Sequence, residues 1–142
     1  MEKKVNIIGR GHILFHKKFE FKNGELGEKL IIILNNPDPS KEPYLVCRTT
    51  SQEKDKPRKF GCNKELSLFY LPANHDFFEK DTWIQLYEIF PFNASSLLDD
   101  HFKGELEVIG KLRELTIRQL INCVKKIKDI AAAHKKLILK DW

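Results

Sequence analysis

The pattern of apolar and polar positions along the chain predicts short strands followed by one long helix. Leu30 to Leu34 is an unbroken run of isoleucine and leucine, which is typical of a strand buried on both faces of a sheet. Pro37 and Pro39 lie just beyond this run and end it, because proline supplies no backbone donor and restricts the residue before it. A second short strand is expected over Tyr44 to Cys47. These two strands are expected to lie next to each other and to form the rigid centre of a sheet.

Alternating or short apolar segments predict further strands on either side of this centre. Asn23-Gly24 is a turn signal, since both residues tolerate positive φ. Residues alternate from Thr82 to Phe90, so Trp83 is expected on one face of the sheet and Phe90 on the other, with Pro91 ending the strand. The other expected strands cover 11–15 with a continuation over 17–21, 66–71 and 106–109, and a short lead-in strand is expected at 5–8.

The clearest helix signal lies in the last third of the sequence. Apolar residues recur at three- and four-residue spacing from Leu115 to Ala131, which predicts an amphipathic helix. Thr116-x-x-Gln119 has the form of a capping box. A shorter helix is expected over 94–102, with its cap at Asn93 or Ser95.

Length and composition indicate one domain over residues 1–142. This length suits a single core, and 42% apolar with 32% charged residues is the composition of a soluble folded protein rather than a disordered one. Residues 1–10 are expected to be a lead-in, and 134–142 an amphipathic tail that either extends the long helix or swings free. The predicted fold is mainly β, a compact antiparallel barrel with a C-terminal helix over 115–131 packed on it.

The cysteines and the length of the apolar runs indicate in which cellular compartment the protein is expected. Cys47, Cys62 and Cys123 are an odd number without CxxC spacing, so we expect reduced thiols, with Cys47 in the core, and no zinc site. The N-terminus lacks the apolar stretch of a secretion signal. No apolar run approaches the roughly 20 residues that span a bilayer. The expectation is a cytoplasmic protein with no membrane contact.

Polar and basic residues gather where the second central strand ends. Arg48-Thr49-Thr50-Ser51-Gln52 places a cation, three hydroxyls and an amide in succession, and the charged segment 52–64 follows with five basic side chains. A segment of this length without apolar periodicity is mobile or functional. The net charge of +5 permits a polyanion, an acidic protein partner or simply a solvated basic surface. We expect the function to lie at this polar edge.

Several sequence blocks, taken in order, resemble the PemK/MazF-like toxins. Together they cover about residues 11–130 of the chain. The resemblance implies an SH3-like barrel, usually dimeric, that cleaves single-stranded RNA without a metal and acts as a toxin neutralised by a small antitoxin protein. The blocks are Gly11 to Leu14, Gly27 to Asn36, Cys47 to Gln52, Asp81 to Ile89, and Ile109 to Leu112 with the helix after it.

The resemblance also implies where the site lies. In this family an arginine opens the buried strand and a threonine ends the next one. The corresponding positions here are Lys29 and Thr50, and His12 stands where the family has an acid. Arg48 lies beside the threonines and can supply a guanidinium.

Metal-free RNA cleavage needs a base, charge stabilisation at the phosphate and an acid for the leaving oxygen. We assign charge stabilisation to Lys29 and Arg48, and proton transfer to His75, which lies on a polar turn, because the ordinary pKa of histidine is near neutral. No metal or cofactor is expected, since no two histidines have ligand spacing. The catalytic set is completed by Thr50, and the residues expected to contact RNA are Thr49, Ser51, Gln52, Lys54, Lys56, Arg58 and Lys59.

Two other functions fit the same features. A catalytically inactive barrel could use Lys29, Arg48 and the basic segment to grip RNA or an acidic protein partner. An unrelated small barrel could be a subunit of a larger assembly, which docking of 134–142 on a partner chain would favour. Among single side chains, His12 and His16 are expected to face solvent, and the aromatic residues Trp83, Tyr87, Phe90 and Phe92 either stack bases or belong to the core.

Overall fold

The computed structural model of the protein describes residues 8–20 and 23–142. Residues 5–7 of the predicted lead-in strand lie outside these ranges, as does Phe21 at the end of the predicted segment 17–21. The first described strand begins at His12 and continues without interruption to Glu20. The turn predicted at Asn23-Gly24 is present, and Gly24 has a φ of +85°.

Seven antiparallel strands form one sheet, which confirms the mainly β prediction. Their order across the sheet is β4-β5-β6-β3-β2-β1-β7, and every neighbouring pair is antiparallel. Within the described ranges no ladder joins the edge strands β4 and β7, so the sheet is not closed by hydrogen bonds into a barrel. The strands are β1 His12–Glu20, β2 Leu26–Ile33, β3 Tyr44–Thr50, β4 Gly61–Asn63, β5 Leu68–Leu71, β6 Thr82–Phe92 and β7 Leu106–Lys111.

Helices cover both faces of this sheet. The helices are α1 Ala94–Phe102, α2 Glu114–Lys126 and α3 Ala132–Leu139. Because successive strand residues point to opposite faces, the buried residues divide into two main clusters. The α2 face carries Ile13, Ile32, Cys47 and Ile84 against Leu120 of α2 and Ile138 of α3, and the α1 face carries Leu14, Ile31, Val46 and Leu106 against Leu97 of α1.

The two central strands are where the sequence predicts them, but they are longer. Residues Ile31 to Leu34 are fully buried, as expected for a strand covered on both faces. The chain after them turns at Asn35, whose side-chain oxygen accepts a hydrogen bond from the Leu45 amide at 2.9 Å. β3 continues to Thr50. Arg48, Thr49 and Thr50 therefore lie within the sheet and not beyond the end of the strand, where the sequence analysis placed them.

A large bulge interrupts the regular alternation of β6. Val46 pairs with Phe90 and Arg48 pairs with Gln85, so between these pairs the single residue Cys47 of β3 lies opposite the four residues 86–89 of β6. The extra residues return Phe90 to the α1 face, where it packs beside Phe19. The prediction that Phe90 opposes Trp83 is therefore wrong, and so is the prediction that Pro91 ends the strand, because β6 continues to Phe92.

The C-terminal helix prediction is correct in position but too long. α2 ends at Lys126, since Ile127 has extended backbone, and α3 forms a separate helix. The predicted capping box is absent, because the helix begins after Arg113 and Thr116 is buried in its first turn. Of the two predicted caps of α1, the structure has Asn93. Its side-chain oxygen accepts a hydrogen bond from the Ser96 amide at 2.8 Å.

Arg10 fixes the C-terminal tail to the body of the fold. Its Nη2 donates to the Ile138 carbonyl at 2.7 Å and its Nε donates to the Leu34 carbonyl at 3.2 Å. The guanidinium also lies 5.2 Å from the centre of the Trp142 ring, and burial lowers the pKa of Arg10. The tail therefore neither extends α2 nor swings free.

Two expectations for side chains are wrong because of where the fold places them. Cys62 in β4 and Cys123 in α2 form a disulfide with Cα atoms 5.4 Å apart, so these two cysteines are not reduced thiols. Cys47 is the free cysteine and is buried, as predicted. His16 is also buried and lies 3.0 Å from the carboxylate of Asp100 on α1, so it does not face solvent.

In the part of the chain that the structure describes, no helix is long and apolar enough to cross a bilayer.

Candidate functional site

Polar side chains interrupt the apolar surface of the α1 face at the centre of the sheet. One row across four strands reads Ile31, Arg48, Gln85 and Leu68 in register. The two inner residues lie between the α1-face cluster and a smaller apolar cluster of Leu68, Tyr70 and Trp83. We call this polar centre the Arg48 site, and it consists of Lys29, Arg48, Gln85, Tyr87 and Glu88.

Arg48 is held in a fixed orientation by two contacts from the bulged strand. Its Nη2 lies 3.1 Å from Glu88 Oε1, and its guanidinium carbon lies 5.4 Å from the centre of the Phe90 ring. Both partners reach Arg48 because the β6 bulge turns them to this face, and bulges commonly re-aim side chains next to functional sites. The buried Arg48 Nε has no hydrogen-bond partner among the described residues.

Lys29 brings a second positive charge to the same face. Its Nζ donates to the Thr49 carbonyl at 3.1 Å, and the side chain is half-buried. Burial lowers the pKa of Lys29, and the positive charges of Arg48 and Lys56 lower this pKa further. Two neighbouring cations on a partly dry surface favour binding of an anion that neutralises both.

Gln85 and Tyr87 complete the Arg48 site. Gln85 is 9% exposed, and its Nε2 donates to the Tyr87 hydroxyl oxygen at 2.7 Å. Gln85 Oε1 is buried and has no partner within the described part of the chain. Tyr87 is 46% exposed, so it is the aromatic residue here that a planar ligand group can reach.

Of the predicted threonines, the fold brings Thr50 and not Thr49 to this face. Thr50 follows Arg48 by two residues and pairs with Trp83, and its hydroxyl oxygen accepts from the Gln52 amide at 3.2 Å. Thr49 is buried, and its hydroxyl donates to the Leu30 carbonyl at 2.9 Å. Alternation along the strand directs it to the α2 face, so the fold does not place the Thr49 hydroxyl beside Lys29 and Arg48.

The basic segment after β3 folds over the edge of the sheet beside the site. Trp83 is fully buried beneath it and donates through Nε1 to the Pro57 carbonyl at 2.7 Å, so Trp83 cannot stack bases. Arg58 bridges Glu53 at 2.8 Å and Asp81 at 2.6 Å, and the hydrogen bond from the Ala73 amide is the main cause of the lowered pKa of Asp81. The predicted contact residues Ser51, Gln52, Lys54 and Lys59 are exposed, and Lys56 is half-buried.

His75 lies with a different set of residues. Its ring is 4.6 Å from the ring of Phe60, and its carbonyl accepts from Arg113, the residue that precedes α2. The neighbouring Asp76 also contacts Arg113. Within the described part of the chain His75 contacts Phe60 and Arg113 and neither Lys29 nor Arg48, so the fold does not bring the predicted proton-transfer residue to the cations.

Glu88 and Gln85 are site residues that the sequence alone did not reveal, whereas Tyr87 was named there as an aromatic residue that either stacks bases or belongs to the core. Gln85 was a polar residue inside an apolar strand, which was a weak signal. Glu88 was expected on the face opposite Gln85, because regular alternation places residues of odd and even number on different faces. Gln85 and Glu88 both reach Arg48 only because of the bulge, and no local sequence motif predicts this bulge.

The sequence matches no family model, and no curated protein matches it. The interpretation of the site therefore depends on its own chemistry. Two cations, one carboxylate, one phenol and one amide converge on a shallow surface. Within the described ranges, no group of three or more His, Cys, Asp or Glu residues is placed to hold a metal ion.

Proposed function

We propose that this protein is a metal-independent endoribonuclease that cleaves single-stranded RNA at the Arg48 site. The observation that supports this most strongly is the juxtaposition of Lys29 and Arg48 on one face of the sheet, where each lies near the other's positive charge. A phosphodiester is an anion that can neutralise both cations. The order of the sequence blocks that resemble the PemK/MazF-like toxins supports RNA as the molecule that supplies this phosphodiester. The proposal also includes the SH3-like barrel that the resemblance implies for the sheet.

In the proposed reaction the 2′-oxygen of one nucleotide attacks the adjacent phosphorus and the bond from phosphorus to the 5′-oxygen breaks. Lys29 and Arg48 stabilise the negative charge that builds on the phosphate oxygens, and Thr50 orients the phosphate from the same face. One such donor is typically worth about 10²–10³ in rate. The products are a 2′,3′-cyclic phosphate and a free 5′-hydroxyl.

Proton transfer is reassigned in this proposal from His75 to two residues of the site. Glu88 accepts the proton of the attacking 2′-hydroxyl, because its carboxylate lies 3.1 Å from the guanidinium that binds the phosphate. Tyr87 donates a proton to the leaving 5′-oxygen. Its hydroxyl oxygen already accepts from Gln85, which leaves the O–H to donate, and its exposure lets solvent return the proton.

The biological part of the proposal rests on the resemblance. The protein would be a cytoplasmic toxin that acts as a homodimer and is neutralised by a small antitoxin protein. Disulfides are atypical of reducing compartments, so this part requires the protein to fold and act with Cys62 and Cys123 reduced as well.

A catalytically inactive module that binds RNA or an acidic protein is the second candidate. The observation that favours it is Lys29 itself, because an ammonium lacks the planar fork with which arginine grips a phosphate. The assembly-subunit alternative loses its supporting feature, since the tail packs on its own chain through Ile138 and Arg10.

The test is to incubate the purified protein with a mixed single-stranded RNA in EDTA and to identify the fragment ends. The proposal predicts discrete fragments with 2′,3′-cyclic phosphate ends that form at the same rate with and without EDTA. Intact RNA with salt-sensitive binding would instead support the inactive module. Intact RNA without binding would reject both.

A further inference from the structure

An apolar cavity lies on the α1 face of the sheet, between α1 and the edge strand β7. Its volume is about 490 Å³, which falls within the range of about 300–1,000 Å³ that is typical of small-molecule sites. Leu97 and Leu98 line it from α1, and Leu106 and Val108 line it from β7. None of the residues of the Arg48 site lines this cavity, so it is a separate place on the molecule.

The lining of the cavity is uncharged apart from groups that titrate. Within the described ranges no Lys, Arg, Asp or Glu side chain lines it, and its polar members are Tyr44, Ser95 and His101. The Ser95 hydroxyl donates to the Asn93 side chain at 2.8 Å, and His101 Nδ1 lies 3.3 Å from the Leu106 carbonyl oxygen. An ionised ligand would lose its hydration here without gaining a charged partner. The lining therefore favours a neutral molecule.

Tyr44 is the polar residue of the lining that still has a hydrogen bond to make. Its side chain is only 4% exposed and lines the cavity, and among the described residues its hydroxyl has no hydrogen-bond partner. Burial raises the pKa of Tyr44, so the hydroxyl keeps its proton and can donate it. The fully buried side-chain atoms without a partner in the described part of the chain belong to Arg48 and Gln85, so the Tyr44 oxygen is not sealed off from a molecule in the cavity.

We propose that this cavity binds a neutral, mainly apolar small molecule with one hydroxyl or carbonyl oxygen, which accepts a hydrogen bond from Tyr44. A medium-chain aliphatic alcohol is the simplest compound of this class. The leucine and valine walls supply most of the binding free energy, because they remove the hydrocarbon from water. The Tyr44 hydroxyl fixes the orientation of the ligand, since buried phenols usually have a hydrogen-bond partner.

The experiment measures binding of alcohols to the whole chain at neutral pH. N-phenyl-1-naphthylamine is a neutral probe whose fluorescence increases in apolar surroundings, and 1-hexanol, 1-heptanol and 1-octanol are used to displace it. Each added CH₂ group should raise the affinity about three- to fourfold. Octanoate is ionised at this pH and should bind at least about tenfold more weakly than 1-octanol, because its carboxylate finds no cation in the lining.

Variants of the lining locate the bound probe. Val108→Trp fills the cavity from β7 and should abolish probe binding. Ile109→Trp is the matched control, because Ile109 is the next residue of the same strand and is also exposed but does not line the cavity. Tyr44→Phe removes only the hydroxyl and should weaken 1-octanol binding by about two- to tenfold. Circular dichroism confirms folding, and Ser95→Trp, which fills the cavity from α1, replaces Val108→Trp if that variant does not fold.

Each outcome decides the inference. Probe binding that is lost in the cavity-filling variant and kept in Ile109→Trp, with 1-octanol preferred over octanoate, would support it. It would be overturned if the wild type did not bind the probe, if both tryptophan variants behaved alike, or if octanoate bound as tightly as 1-octanol. Unchanged 1-octanol affinity in folded Tyr44→Phe would also contradict it. The measurement contains no RNA, so its result is independent of whether the Arg48 site cleaves RNA.

Discussion

Lys29 keeps a positive charge in surroundings that disfavour it. Burial and the charges of Arg48 and Lys56 all lower its pKa, and its Nζ donates a hydrogen bond to the Thr49 carbonyl at 3.1 Å. A folded protein seldom retains two adjacent cations on a half-dry surface without a use for them. At the scale of single residues, the lowered pKa of Lys29 beside Arg48 supports the proposal that the Arg48 site binds an anion.

The lowered pKa of Lys29 predicts a pH-dependent affinity for nucleic acid. Because this pKa lies below the ordinary lysine value of 10.5, Lys29 loses its proton as pH rises toward that value, and one phosphate contact is lost with it. We expect the affinity for a 2′-O-methyl oligonucleotide, which resists cleavage, to fall as pH rises toward 10.5. The slope of log affinity against log salt should decrease by about 0.7, the contribution of one contact to a single strand.

Lys29→Arg provides the control for this titration. A guanidinium stays charged throughout that range, so the variant should keep its affinity and its salt slope. A wild-type affinity that does not change as pH rises toward 10.5, or an equal loss in Lys29→Arg, would show that Lys29 does not contact the bound strand.

At the scale of elements, the sequence predicted most strands and missed the irregularities between them. The run Leu30 to Leu34 and the alternation from Thr82 are local signals, and both lie in observed strands. The three-residue strand around Cys62 is too short to produce such a signal. The β6 bulge depends on how β3 and β6 fit together over the packed core, so it is not encoded in either segment alone.

This difference explains why the candidate site was only partly predictable. Lys29, Arg48 and Thr50 lie at the positions the family resemblance and the local sequence indicated, and the sheet brings them to one face. Glu88 depends on the bulge, and the displacement of His75 depends on the docking of its turn against Arg113. Both effects are tertiary and leave no local sequence pattern.

Packing of α2 against the residue that precedes β1 makes a prediction at this scale. Gly11 has a φ of +91°, and a Cβ there would lie 2.3 Å from Cδ1 of Ile117 on α2. Gly61 has a similar φ of +88° but nothing within 4 Å of the same position. Gly11→Ala should therefore lower the free energy of unfolding by about 1–3 kcal/mol more than Gly61→Ala, through overpacking.

Urea denaturation of the two variants provides the measurement. Gly61→Ala reports the backbone strain alone, about 1–2 kcal/mol for a non-glycine residue in this region, and the difference between the variants reports the contact with α2. Equal losses in both would contradict the packing of Ile117 against Gly11.

At the scale of the whole molecule, the chain is held together by a sheet covered on both faces and by two long-range ties. Arg10 ties the tail to the end of β2, and the disulfide ties edge strand β4 to α2 across 61 residues of sequence. The mainly β class with a C-terminal helix could be predicted from periodicity. The disulfide could not, because an odd number of cysteines with irregular spacing does not reveal which two meet in space.

Reduction of the disulfide should destabilise the protein without unfolding it at room temperature. Opening a loop of this length costs about 2–4 kcal/mol, so we expect the reducing agent TCEP to lower the Tm of the wild type. Cys47 should not exchange with the pair, since it is buried and burial raises the pKa of its thiol. Cys62→Ala should show the lower Tm already and should not respond to TCEP, whereas an unchanged wild-type Tm would show that the bond does not form.

RNA cleavage at the Arg48 site is tested by a comparison of two arginine variants. Cleavage of a single-stranded RNA in EDTA is measured for the wild type, for Arg48→Ala and for Arg118→Ala, which changes an exposed arginine of α2, with circular dichroism to confirm folding. We expect wild-type turnover for Arg118→Ala and a loss of about 10²–10³ for Arg48→Ala. If folded Arg48→Ala cleaved RNA as fast as the wild type, the Arg48 site would not be the place of the reaction.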